Sequence, residues 1–391
     1  MSRARLIQRL ELQGLRLAPS QVWGQVRLVP VLRDEVRGDL RFAQRNYGDA
    51  LSEVTLRKEL GAPGLKYISY IPHGLVMTWG NRQAEAVYGT RLQSQDHKKV
   101  EAGPVSVRLL HRMVHREDRN QLRMLPLHLA MEGFLTRYFG GPDIAWSEYS
   151  KDGLSRGLNP RSEASIPGWA SFALDGALRT FELHERQVGL LLFNADELLS
   201  AFIVAHPYDY RCLHRTLLED FYGDLLLQYG YLQVAGDIGL RLDASQVASV
   251  ADLRAQVARM REDWGAFHGL LSGGLFGVEV TARKVYEAGP FLLQHFHTSL
   301  VPSEENHMGE AITGPDGTLE YLKTYRLSAA QTRRAYLLQQ LANSQWNLDD
   351  TATALGSTRS DLVVRLANAG FGYLLKGHVL EEAQRSHARG R

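Results

Sequence analysis

The sequence predicts an α+β protein: a β-rich N-terminal layer with hairpins and packed helices, followed by an all-α C-terminal helix-turn-helix unit. Three observations carry this. Short β-prone runs cut by Gly, Pro and Asn fill the chain up to Val114; helical periodicity takes over from Leu125; and capped helical stretches close the chain after Ser328. At 391 residues the chain exceeds what one ordinary core organises. The breaks divide it into 1–240, an α+β sensing domain; 241–326, a helical connecting region; and 327–391, the helix-turn-helix with a basic tail.

Strand character is clearest in Val22–Val31, followed by Lys66–Ile71, Gly74–Trp79 and Val105–Leu110, with Ala62-Pro63-Gly64 and Gly80-Asn81 as breakers. Gln93–Gly103 is polar and reads as an exposed loop. Leu127, Met131, Phe134, Leu135 and Tyr138 recur at helical spacing, stopped by Gly140-Gly141-Pro142, and the polar stretch Asp143–Pro167 then reads as a long loop. Val188–Phe193 and Leu198–Ala205 form a hairpin, with Asn194 and Asp196 supplying left-handed turn chemistry. Tyr208–Tyr229 is an amphipathic helix ended by Gly230. Further helical stretches cover Val250–Phe267, with Leu253, Val257, Met260 and Trp264 on one face, and Val278–Phe296, interrupted by Gly289-Pro290.

Composition narrows the function classes. Against 45 Lys+Arg stand 43 Asp+Glu, so no bulk basic field covers the surface and any DNA contact must come from a local patch. Cys212 is the one cysteine, which excludes an intramolecular disulfide, fits a reducing compartment and reads as a packed helical side chain. Arg3, Arg5 and Arg9 precede no apolar core of a signal peptide. No run of ~18 apolar residues exists. A cytoplasmic protein without a membrane partner is expected.

The C-terminal pattern is the most specific. Ser328 caps a helix to about Asn343, Asn347 caps a second helix with Asp349 and Asp350 in its first turn, and Gly356 ends it before a third helix reaches Gly370. Ala352, Leu355 and Gly356 supply the small, apolar and turn residues that two steeply crossing helices need. Leu362 and Leu366 face inward, leaving Thr358, Arg359 and Arg365 outward. Leu355–Leu362, Arg365-Leu366 and Ala369-Gly370-Phe371 resemble the Fis-type DNA-binding motif over about 45 residues. That resemblance implies double-stranded DNA as partner, a homodimer, and DNA-contacting roles for Thr358, Arg359 and Arg365. Val363 and Val364 stand where the family usually carries basic residues, and Asp361 where a hydroxyl is common. From Ser328 to Lys376 five cations face three acids, so dimerisation or partner contact is the alternative role. Arg385, Arg389 and Arg391 form a tail that either adds phosphate contacts or is solvated, the plainer reading.

Val22-Trp23-Gly24 with Val29-Pro30-Val31, then Gln187–Leu191 leading into the hairpin and the helix from Tyr208, is similar to the domain family named for association with ADP-ribosylglycohydrolases and rhodanese-phosphatases. The resemblance spans roughly Gly14–Gly230, with Arg326 as its outer bound. It implies a mixed α+β domain of bacterial regulatory or stress-linked gene clusters and transfers no catalytic residue.

No other chemistry stands out. His111 and His115 lack a third ligand, His184-Glu185 lacks the second histidine of a zinc-protease helix, and His295-Phe296-His297 would align only on a strand, in surroundings that look helical; no metal or cofactor is expected. Phosphate-loop and nucleophile-elbow motifs are missing. The best enzyme-like constellation is His206, Asp209 and Arg211 at a strand-to-helix junction, where a helix N-terminus could hold an anion; the plainer reading has Asp209 capping the helix after Pro207. Asp143, Glu148, Asp152 and Arg156 offer a weaker pocket in the long loop. The sequence thus points to a regulator with a sensing domain and a DNA-binding tail, more readily than to an enzyme. The alternative is an enzyme or binding protein for a nucleotide-like or ADP-ribose-related ligand, its helical tail used for assembly.

Overall fold

A nine-stranded antiparallel sheet takes its strands from three separated stretches of sequence. The computed structural model describes residues 5–36, 172–223, 225–226, 240–288, 290–372 and 375–389, together with the strands between positions 40 and 124. In chain order these strands begin with β1 (Leu15–Leu17), β2 (Gln21–Trp23) and β3 (Val26–Arg33). Next come β4 (Leu40–Gln44), β5 (Leu51–Leu56), β6 (Lys66–Tyr70), β7 (Leu75–Gly80) and β8 (Gln83–Tyr88). β9 (Arg91–Gln93), β10 (Lys99–Val100), β11 (Ser106–Arg108) and β12 (Leu122–Met124) follow. Two smaller sheets hold β4 to β12, in the orders β10-β9-β6-β5-β4 and β11-β8-β7-β12. The polar segment 93–103, expected as a loop, therefore contains a strand that pairs with β9. The expected helix at Leu127–Tyr138, the loop Asp143–Pro167 with its Asp143, Glu148, Asp152 and Arg156, and the pair His111 and His115 lie outside the described residues.

The large sheet continues with β13 (Gln187–Asn194), β14 (Glu197–Ile203), β15 (Thr281–Ala288), β16 (Phe291–His297), β17 (His307–Thr313) and β18 (Leu319–Arg326). Its order is β1-β3-β13-β14-β18-β17-β16-β15, with β2 also on β3. All eight residues of β3 are buried, Arg27 and Arg33 among them, so both faces are covered. Pro30 fits inside it because β2 pairs only up to Leu28 and β1 only from Val31, so the missing N–H falls where the partner strand changes.

Each face of the sheet has its own core. Val26, Leu28, Leu190, Leu192, Phe202, Met308 and Tyr321 point to one side, Val29, Val31, Leu191, Phe193, Phe296 and Leu322 to the other. The first side is covered by α1 (Phe172–Thr180), by α2 (Pro207–Thr216) and by the π-helical turn Leu217–Tyr222. The second is covered by Leu10, Leu15 and Leu275, with Leu271 of α3 (Val250–Leu271) packed beside them. The apolar cluster of the first side runs on without a break into the C-terminal helices, through Leu327, Leu338, Leu341, Leu362 and Phe371. The chain is of the mixed α+β class.

The expected helix at Val278–Phe296 is instead the hairpin β15–β16, with Pro290 in its turn. Every residue of β16 is buried, and burial on both faces erases the period-two alternation by which a strand is recognised. Residues 281–326 of the expected helical connecting region are thus largely strand, and the sheet draws on both sides of position 240. The β13–β14 hairpin lies where expected, its second strand ending at Ile203 rather than Ala205, but its turn differs. Ala195, not Asn194 or Asp196, adopts the left-handed angle (φ 53°), while Asp196 pairs with the buried Arg27 at 3.3 Å. Close cross-strand approach explains Gly309 in β17: a Cβ there would collide with the Lys323 carbonyl of β18.

Candidate nucleic-acid interface

Three capped helices follow β18, and local side-chain chemistry sets each start. α4 (Ala329–Asn343) opens with a reciprocal box: Ser328 Oγ accepts from the Gln331 N–H, and Gln331 Oε1 accepts from the Ser328 N–H at 2.8 Å. Its exit uses two left-handed residues in succession, Gln345 (φ 51°) and Trp346 (φ 64°), the latter donating its N–H to the Leu341 carbonyl. Asn347 then caps α5 (Leu348–Ala354) by accepting from the Asp349 and Asp350 amides. Gly356 (φ 60°) turns the chain, and the Ser357 N–H closes back on the Ala352 carbonyl at 2.9 Å.

Thr358 caps α6 (Arg359–Leu366), its hydroxyl accepting from the Asp361 N–H at 3.1 Å and donating to the Asp361 carboxylate at 2.7 Å. Leu362 and Leu366 enter the common core, as their spacing predicts. Thr358, Arg359 and Arg365 are exposed along the outer side. Arg359 reaches back to Asp349 on α5 at 2.9 Å, both side chains more than half exposed. Arg365 forms no ion pair with the described residues. Val363, one of the two valines at usually basic positions, is buried.

The tail departs from its plainer reading. Gly377–Arg389 is a helix, α7, which packs along α6. His387 meets the Asp361 carboxylate at 3.0 Å, and Ala383 is buried. The Thr358 hydroxyl first, and the His387 ring second, hold the Asp361 carboxyl below the usual range. Arg385 pairs with Glu381 one turn away at 3.6 Å, so its charge is at the surface of a helix rather than in a free tail.

At the strand-to-helix junction the expected cap changes identity. His206 is the N-cap of α2: its Nδ1 accepts from the Tyr208 N–H at 3.1 Å, and Pro207 takes the first helical position. Asp209 lies deeper in the first turn and is buried. Arg211 is exposed and donates to the Glu185 carbonyl at 3.0 Å. His206 and Arg211 therefore engage separate partners. Beneath them, His214 accepts or donates at 2.9 Å with the Tyr210 hydroxyl, and burial pushes its pKa down to about 4.

One polar constellation escaped the sequence. His295, Glu310 and Lys323 stand directly opposite one another on β16, β17 and β18 and point to the same side. Lys323 Nζ lies 2.9 Å and His295 Nε2 3.7 Å from the Glu310 carboxylate, which also accepts from the Tyr321 hydroxyl at 3.2 Å. All four side chains are buried. Burial, then the Glu310 charge, push the Tyr325 hydroxyl up. Register, not sequence spacing, brings these groups together. His295 and His297 do share a face, because the segment is a strand. Among the described residues no cluster of three His, Cys, Asp or Glu has metal-binding geometry, and no helix is long and apolar enough to cross a membrane.

With this geometry in hand, comparison with known proteins gives one family, ARPP-2, matched over residues 10–289. The chain belongs to the ARPP-2 family. The ARPP-2 match takes in β1 to β15 and α1 to α3, and ends before β16 begins, so the buried row and the C-terminal helices lie beyond it. No curated protein and no solved structure matches the chain.

Proposed function

We propose that the chain is a cytoplasmic DNA-binding regulator, a homodimer whose C-terminal helices contact the duplex while the sheet domain senses a ligand or partner. The observation that carries this reading is the outer side of α6. Thr358, Arg359 and Arg365 are exposed there together, while Leu362 and Leu366 anchor the helix from behind. The Arg359–Asp349 pair is no obstacle. An exposed pair of this kind is worth about 0–1 kcal/mol, so exchanging the carboxylate for a phosphate costs little. Fluorescence anisotropy of the full chain with duplex DNA at two salt concentrations tests the reading. Binding should weaken steeply with salt, and Arg365→Ala should lower the salt slope by about one. Absence of binding at low salt sinks the proposal.

A second reading is favoured by α7. It packs along α6, its His387 occupies Asp361, and Val363 is buried. On this reading the unit is a protein-docking element. Sedimentation of the full chain and of Val364→Lys separates the two: a dimer that this substitution dissolves, with no DNA affinity in either form, favours docking.

A further inference from the structure

We propose that the cavity between α3 and β1 binds a phosphate group, held by Arg16, Arg261 and His184. The cavity encloses about 190 Å³, enough for a phosphate and the first carbons of its ester. Its polar lining comes from three separate elements: Arg16 on β1, Arg261 on α3 and His184 in the turn before β13. Leu17, Pro19 and Leu32 make the rest of the wall apolar. No acid lines it.

The charge balance supports an anion. Arg261 has no ion pair with the described residues, and residues 257, 258, 264 and 265, its neighbours one turn away on α3, include no carboxylate. Arg16 is shared with Asp34 at 3.1 Å, but both side chains are over half exposed, so that contact is weak and exchangeable. Two arginines lining one cavity from different elements suit the several oxygens of a phosphate better than the two of a carboxylate. The apolar wall suits the carbon side of a monoester.

Such a ligand would tie α3 to the sheet. The helix is docked through its last turns, where His268 is buried and Phe267 lies under Arg27 at 5.8 Å, while Val250 and Leu253 at its start are exposed. Trp264, one turn beyond Arg261, has a buried indole N–H with no hydrogen-bond partner among the described residues. A phosphate bridging Arg16 and Arg261 would add a contact between β1 and α3 ahead of that anchored end. This site is independent of DNA binding by α6.

Calorimetric titration of the full chain at constant ionic strength, with inorganic phosphate, phenyl phosphate and benzoate, tests the proposal. Both phosphates should bind in the millimolar range or tighter, phenyl phosphate the better, and benzoate weakly. Arg261→Ala should cost at least about tenfold in affinity, and Arg261→Lys less, since a point charge replaces the fork. Asp34→Asn, which frees Arg16 from its competitor, should strengthen binding, an outcome that a purely structural role would not give. Arg359→Ala should leave it unchanged. The proposal is overturned if neither phosphate binds, if benzoate binds as well as phenyl phosphate, if Arg261→Ala and Asp34→Asn bind as wild type does, or if Arg359→Ala abolishes binding. Thermal melts of each variant guard against unfolding as the cause.

Discussion

The row on β16–β18 and the cluster on α5–α7 use similar chemistry in opposite surroundings. In the first, Lys323 and His295 meet Glu310 inside the core; in the second, Arg359 meets Asp349 and His387 meets Asp361 in water. A buried pair is hard to break, because removing one partner strands the other charge in a medium that solvates it poorly. An exposed pair contributes little and exchanges partners readily. The same kinds of side chain therefore serve cohesion in one region and are available for recognition in the other.

Breaking the buried row should give the largest effect. Glu310→Gln takes from Lys323 its carboxylate at 2.9 Å, and the expected loss is about 3–5 kcal/mol in urea unfolding. A loss below about 1 kcal/mol would mean the row is solvated, and the contrast between the regions would fail. Acid should sharpen the contrast next. His214 and His268 have folded pKa values of about 4, both lowered chiefly by burial. Between that value and the unfolded ~6.5 the unfolded chain binds more protons, so stability should fall as pH drops from about 6.5 toward 4, by on the order of 1–3 kcal/mol per histidine. Urea midpoints measured at steps across that range should decline, and less so in His214→Gln. A flat profile would show that these rings are hydrated.

Gly309→Ala comes third. Its methyl group must push into the Lys323 carbonyl, at a cost of about 1–3 kcal/mol, and a neutral result would mean that β17 and β18 part easily beside the row. Thr358→Ala removes the cap of α6 and should cost about 1 kcal/mol. The smallest stability change belongs to Arg359→Ala, below about 1 kcal/mol in urea, yet the same substitution should cost roughly 1–3 kcal/mol in DNA binding if the helix reads a base edge. Equal effects on both measurements would erase the distinction between cohesion and recognition.

The parts legible in the sequence are those set by neighbours along the chain. Ser328, Asn347 and Gly356 announce their helix boundaries because a cap or a left-handed turn is a transaction between residues at most a few positions apart. Thr358, Arg359 and Arg365 read as outward, and are exposed, because Leu362 and Leu366 fix the helix phase. What was hidden depends on distant partners. β16 looked helical because both its faces are covered, and covering is decided by other strands and helices. The cap at His206 went unseen because an imidazole is an uncommon cap and Asp209 offered a commoner one. The row of His295, Glu310 and Lys323 requires the registers of two hairpins to be known first. α7 was masked by its arginines, which read as solvated although Ala383 on the same helix is buried.

The interleaving of the sheet has a consequence for biosynthesis. Gln21 bonds to Glu182 across 161 positions, and Ser200 to Thr324 across 124. Loop closure over such separations is slow, so pairing between early and late strands is the delayed step of assembly. On a translating ribosome β3 can meet β13 only after more than 190 residues have emerged, and β14 then waits for β18, which ends at Arg326. Until β13 emerges, β3, whose residues all end up buried, has neither its long partner nor its cover, the kind of exposed edge at which chaperones act and chains aggregate. The C-terminal helices, whose core is shared with the finished sheet, can settle only once that closure is complete.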